Sequence, residues 1–214
     1  MKVFFSVLIT VGVTIGMYSQ DKKVRFGFKG GINTITIAVK SDFNKIIDVQ
    51  SQRGFQFGGF VYVPLSDSFA FQPEIIYTEQ KYLYDFVGEF NLTKTSVSGK
   101  LGYIAIPLMM VYHPMNRLGI ELGPQISVLN QHRVNETQDY GVFSDSENYS
   151  IDKKTESTEV AFSAGLSFTL SDHLRLSGRY SYSLGKLVEE EFFSKVDASI
   201  DSKSIYQLNI DVLF

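Results

Sequence analysis

Apolar and polar residues alternate along this chain with a period of two, the period of a strand and not of a helix. In the last stretch Tyr206, Leu208, Ile210, Val212 and Phe214 share one face, and Gln207, Asn209, Asp211 and Leu213 the other. Seven earlier stretches repeat the pattern, which predicts eight strands at 24–37, 54–65, 69–84, 98–112, 117–130, 159–170, 173–184 and 204–214. Three links are tight and carry turn residues: Ser66-Asp67-Ser68, His113-Pro114-Met115-Asn116 and Ser171-Asp172. The other four, near 38–53, 85–97, 131–158 and 185–203, are long. This is an up-and-down meander with one trimmed and one decorated rim, the asymmetry of short periplasmic turns and long extracellular loops, with both termini periplasmic.

The two faces differ in kind. The first strand sets Arg25, Gly27, Lys29, Gly31 and Asn33 against Val24, Phe26, Phe28, Gly30 and Ile32. The fifth sets Gly119, Glu121, Gly123, Gln125 and Ser127 against Leu118, Ile120, Leu122, Pro124, Ile126 and Val128. The seventh sets Arg175, Ser177, Arg179 and Ser181 against Leu174, Leu176, Tyr180 and Tyr182. Small residues mixed with a few long charged ones suit the narrow interior of an eight-stranded barrel. Glycine weakens a strand, so a water-facing exterior would have no use for so many. The bulky apolar band then faces outward, where only lipid accepts it. The predicted fold is all-β: an eight-stranded antiparallel up-and-down transmembrane β-barrel. A cation at Leu122 should therefore be costly, and a serine at the inward Gly123 tolerated.

Residues 1–19 read as a signal peptide and 20–214 as one outer-membrane barrel domain. Lys2 supplies the positive start, Val3 to Gly16 the apolar stretch, and Met17-Tyr18-Ser19 a cleavage site before Gln20. That stretch is too short to span a bilayer as a helix. The chain has no cysteine, hence no lipid-attachment thiol and no disulfides, and a net charge of -3 argues against a nucleic-acid partner. With 18 Phe, 12 Tyr and no Trp, an interfacial aromatic girdle must be built from Tyr and Phe.

Several stretches resemble the PorT-like outer-membrane β-barrel proteins of Bacteroidetes. They are Phe26-Gly27-Phe28-Lys29-Gly30-Gly31-Ile32-Asn33, Phe55 to Leu65, Phe69-Ala70-Phe71-Gln72-Pro73-Glu74-Ile75-Ile76-Tyr77, Tyr103-Ile104-Ala105-Ile106-Pro107-Leu108 and Gly119-Ile120-Glu121-Leu122-Gly123-Pro124-Gln125. The resemblance implies an outer-membrane barrel without established enzymatic activity, in a family named for a member linked to protein secretion and gliding. Ala105 departs from the pattern, since an acidic or amide residue often precedes the Ile-Pro-Leu run.

No catalytic constellation stands out, and no cofactor or metal is expected. His113 and His173 fall at trimmed-rim turns and His132 at the root of the third long loop, so the three cannot converge. A rim enzyme acting on lipid would have to use His132 with Ser144, Ser146 or Glu136. The acids Glu136, Asp139, Asp145, Glu147 and Asp152, and Glu189-Glu190-Glu191, read as solvated loop residues without calcium-loop spacing. Phe192-Phe193 is an apolar exception in the fourth loop. The interior face gathers Arg25, Lys29, Arg175 and Arg179 against Glu74, Glu121 and Asp211, with Gln72, Gln125, Gln207 and Asn209 among them. Unpaired buried charge is expensive, so these should interlock as a polar plug, with Arg25 or Arg179 facing Asp211 across strands. The expected role is non-enzymatic: a monomeric barrel displaying loops, structural or accessory to an envelope or secretion assembly. Its expected partners are outer-membrane lipid, the barrel assembly machinery and an envelope protein. A narrow transport or binding barrel for a small ligand is the alternative, ahead of the lipid-modifying rim enzyme.

Overall fold

The computed structural model describes residues 23–40, 47–87, 94–139, 144–150, 158–184 and 199–214. The leader, Asp152, Glu189–Glu191 and Phe192-Phe193 lie outside them. The described residues form β1 (Arg25–Lys40), β2 (Ile47–Pro64), β3 (Phe69–Val87), β4 (Lys94–Met115), β5 (Leu118–Asp139), β6 (Ser144–Ser150), β7 (Thr158–Ser171), β8 (Leu174–Ser183) and β9 (Ser199–Leu213).

Eight of these close an antiparallel ring, each pairing with its neighbour in the order β1-β2-β3-β4-β5-β7-β8-β9 and β9 returning to β1. β6 is the addition. It pairs only with the outer half of β5, Arg133↔Ser150 through Asp139↔Ser144, so part of the long link predicted at 131–158 is a hairpin. The acids Glu136, Asp139, Asp145 and Glu147 belong to that hairpin and not to an open loop. The wall is uneven: β4 and β5 run 22 residues each, β8 only 10. A strand needs about 9–11 residues to cross a bilayer, so the β2–β5 side continues well beyond it. The predicted turn at His113–Asn116 is shorter than expected, because β4 persists to Met115 and leaves Asn116-Arg117 as the turn.

The predicted faces hold. Phe28, Ile75 and Leu208 are 66%, 65% and 60% exposed on the outer surface, while Gln72, Glu74, Glu121 and Asp211 are fully buried inside. Glycines shape the interior by close approach. Gly27 sits directly opposite Phe60 and Gly99 opposite Tyr82, and in each case the aromatic ring occupies the space a Cβ would need. Gly123 corrects one expectation. It does face inward, but a Cβ there would meet the carbonyl oxygen of Leu108, so a serine at that position has to displace backbone.

Candidate functional site: the polar lumen

Alternation places these side chains on the concave face, and cross-strand register decides which of them meet. Lys29 lies opposite Asp211 on one side of β9, and Arg175 lies opposite Asp211 on the other. Arg175 Nε donates to Asp211 Oδ2 at 2.9 Å, and Lys29 Nζ stands 3.8 Å from Asp211 Oδ1. Ser177 Oγ adds a donor to Asp211 Oδ1 at 3.3 Å.

Glu74 is the hub. Its carboxylate accepts from Lys29 Nζ at 2.9 Å, from Arg179 Nη1 and Nη2 at 2.9 and 2.8 Å, and from Gln72 Nε2 at 2.6 Å. Arg179 Nη2 also donates to Glu121 Oε2 at 2.8 Å, and Arg175 Nη2 to Gln72 Oε1 at 2.7 Å. Three cations and three carboxylates from β1, β3, β5, β8 and β9 thus form one connected, buried array. Phe60 seals it on one side, its ring 5.7 Å from the Lys29 ammonium and 5.4 Å from the Arg175 guanidinium.

Arg25 does not join the array. β9 pairs with β1 only as far as Gly27↔Leu213, so Arg25 projects past the end of the closing strand. Its guanidinium donates instead to the backbone carbonyl of Asp172 in the trimmed-rim turn. Nor does Arg179 face Asp211: its partner on β9 is Gln207, four residues farther along. The expected Arg25 or Arg179 pairing with Asp211 is therefore replaced by Arg175 and Lys29, and the array balances three against three.

A second layer lies toward the long-loop rim. Lys203 Nζ donates to Glu159 Oε2 at 2.8 Å and sits 4.6 Å over the Tyr103 ring, all three side chains buried. Between the layers, Gln56 Nε2 donates to Gln207 Oε1 at 3.1 Å and also to Asn209 Oδ1, and Ser163 bonds both Ser181 at 2.7 Å and Gln125 at 3.4 Å. Lys203 and Glu159 share the parity of Asp211 and Ser163, which was the signal for them. Among the described residues, the lumen beside Lys29, Glu74, Ala105 and Arg179 retains a cavity of ≈ 10 Å³. That is room for about one water molecule, and the unpartnered Gln56 Oε1 is among the polar atoms near it. Ala105 lines this cavity and offers no polar contact.

The histidines serve the rim. His113 Nε2 meets the Tyr62 hydroxyl at 2.7 Å and its Nδ1 lies 3.2 Å from the Leu118 carbonyl, while His173 Nδ1 lies 2.9 Å from the Leu213 carbonyl. His132 is opposite Leu101 in the β4–β5 register, far along the chain from both. Among the described residues no group of His, Asp or Glu could hold a metal.

A family model described as outer membrane protein beta-barrel domain matches residues 9–189 of the chain. No curated protein matches it. Among solved structures, the chain is similar to neisserial surface protein A (NspA) at 13% identity and TM-score 0.50, over 90% of this chain and 100% of that one. It is also similar to Ail, the attachment invasion locus protein of Yersinia pestis, at 15% identity and TM-score 0.44, over 90% and 100%. OprG of Pseudomonas aeruginosa gives 15% identity and TM-score 0.43, over 90% and 97%. At such identities the likeness concerns the fold: a closed eight-stranded barrel of the Gram-negative outer membrane.

Proposed function

We propose that this chain, which belongs to the outer membrane protein beta-barrel domain family, is a sealed, non-enzymatic and monomeric barrel whose work is done by what it displays. The carrying observation is the filled lumen. Six charged side chains are paired across it, and ≈ 10 Å³ remains beside them. An eight-stranded wall has room for side chains and not for an aqueous channel. What varies around the barrel is its outer end, where β2 to β5, with β6 added to them, continue beyond the membrane. That extended sheet suits a structural or interaction role, accessory to an envelope or secretion assembly, with an envelope protein as the partner. The motifs of β1 to β5 support a PorT-like kinship within the family.

Single-channel recording of the purified protein in planar bilayers tests the reading. No stable conductance steps are expected. Steps that change with Glu74→Gln or Arg179→Gln would refute the plug and favour the narrow transport barrel. A chimera with the β5–β6 hairpin exchanged should lose a partner captured by the wild type, and altered lipid A that depends on His132 would favour the rim enzyme.

A further inference from the structure

Four residues on the outside of the wall share one rung of the sheet. Gln52 faces Lys81, Lys81 faces Lys100 and Lys100 faces Arg133, across β2, β3, β4 and β5. Three cations in direct succession repel one another, since like charges opposite each other destabilise a sheet. Glu79 offsets one of them, 3.2 Å from the Lys81 ammonium. Lys100 and Arg133 have no carboxylate partner among the described residues, and Arg133 lies against the Gln131 amide. The rung lines a surface cavity of ≈ 360 Å³ with Leu83 and Ser98.

Two β-bulges build this rung. β2 carries an extra residue between Gln52 and Gln56, which turns Gln52 outward beside Lys81. β5 carries an extra residue, Asn130, between the pairs Tyr103↔Leu129 and Gly102↔Gln131. Unbroken alternation from the outward Val128 would not have turned Arg133 outward; the bulge does. Bulges re-aim side chains in this way.

The rung's height is set by the apolar belt. On the outer surface Ile75 and Tyr77 of β3, and Ile106 and Ile104 of β4, give way to Glu79 and Lys81, and to Gly102 and Lys100. Phe55, Phe57 and Tyr77 form an aromatic cluster at that edge, with centroids 5.4 to 6.2 Å apart. Lys81 and Lys100 lie four residues beyond Tyr77 and Ile104, about 10 Å along the normal for a strand rising ~3.3 Å per residue and tilted ~40°. Long basic side chains reach back from there to a headgroup layer about 5–8 Å deep. Among the described residues with placed side chains, the outward ones toward the same rim on β1, β7, β8 and β9 are Thr34, Thr36, Thr158, Tyr182, Leu184 and Ser204, none of them charged, while the exposed Arg53 of β2 flanks the rung.

We infer that the Gln52–Lys81–Lys100–Arg133 rung is a binding site for the phosphate of a phosphorylated glycolipid in the outer leaflet. The acyl chains would lie along the apolar belt below the rung, and the phosphate would neutralise Lys100 and Arg133.

The test uses the delipidated full-length protein in detergent, mixed with bis-phosphorylated lipid A and read by native mass spectrometry. The wild type should retain the lipid, and Lys81→Gln/Lys100→Gln/Arg133→Gln should retain at least ten-fold less. Arg117→Gln, a cation removed at the opposite rim, should behave as the wild type. If heat-modifiable migration shows that the triple variant is unfolded, Lys100→Gln alone, at the centre of the rung, is read instead and should show the same loss in smaller measure. Equal retention by the folded variant, or equal retention of dephosphorylated lipid A by the wild type, would overturn the inference. Displacement of the lipid by inorganic phosphate at equal concentration would also overturn it, as a site for the free anion.

Discussion

Replacing Glu74 by glutamine removes one negative charge from an array whose described charges cancel. Arg179 would keep Glu121 at 2.8 Å, but Lys29 would keep only Asp211, at 3.8 Å. Both cations are about 1% exposed at the side chain, and the cavity beside them has room for only about one water, which does not replace a carboxylate. Breaking a buried pair by removing one partner costs about 3–5 kcal/mol. With a urea dependence of roughly 1–3 kcal/mol per molar for a small domain, the unfolding midpoint of Glu74→Gln should fall by at least about 1 M. The chain has no Trp, so far-ultraviolet circular dichroism and heat-modifiable gel migration are the suitable readouts. Lys29→Met added to Glu74→Gln restores neutrality, and the pair should be more stable than the sum of the single changes predicts, by about 0.5–3 kcal/mol. A Glu74→Gln midpoint equal to the wild type, or strict additivity in the double variant, would refute the interlocked array.

Leu122 is exposed on the lipid face, and Leu122→Arg should cost about 2–4 kcal/mol near mid-membrane; an unchanged folding titration would mean that the faces are inverted. Gly123→Ala drives a Cβ into the Leu108 carbonyl and should cost roughly 1–3 kcal/mol, whereas Gly30, with nothing within 4 Å of its Cβ position, should accept alanine within about 0.5 kcal/mol. The same titration ranks the two, and the reverse order would contradict the β4–β5 packing. Deleting Tyr206–Phe214 removes the strand that closes the ring, including the Phe214 N–H donated to the Phe26 carbonyl at 2.8 Å and the Phe214 ring set edge-on to Phe28. The truncated chain should show no heat-modifiable migration, and a normal shift would disprove the need for closure.

The strands and their faces were legible in the sequence because lipid outside and a crowded lumen inside force a strict two-residue alternation. Partner choice was not, because alternation says which face a residue takes and nothing about its height. Arg25 shares the parity of Lys29 yet lies beyond the reach of β9, and Arg179 shares the parity of Arg175 yet stands level with Gln207. Lys203 falls one residue outside the predicted strand 204–214, and Glu159 is the first residue of 159–170, where the alternation is least marked. The β5–β6 hairpin was hidden for a different reason. Above the membrane neither face meets lipid, so residues 131–150 have no apolar stripe to betray a strand. Gly123 shows the limit of reading orientation alone: pointing inward does not mean having space, and the nearby backbone of β4 fills it.

The position of Asp211 on the closing strand bears on fidelity of assembly. Its two cationic neighbours come from opposite sides of the seam, Arg175 from β8 and Lys29 from β1, and they meet their carboxylate only when β9 docks between them. A slip of one residue at that seam would turn Asp211 toward lipid, and the apolar pattern alone rejects it. A slip of two would leave every side chain on its proper face, and hydrophobicity could not tell it from the native ring. It would set Asn209 or Leu213 opposite Lys29 and Arg175, taking the carboxylate partner from Arg175 and leaving Lys29 with Glu74 alone. Alternation therefore proofreads odd errors of closure, and the single carboxylate proofreads the even ones.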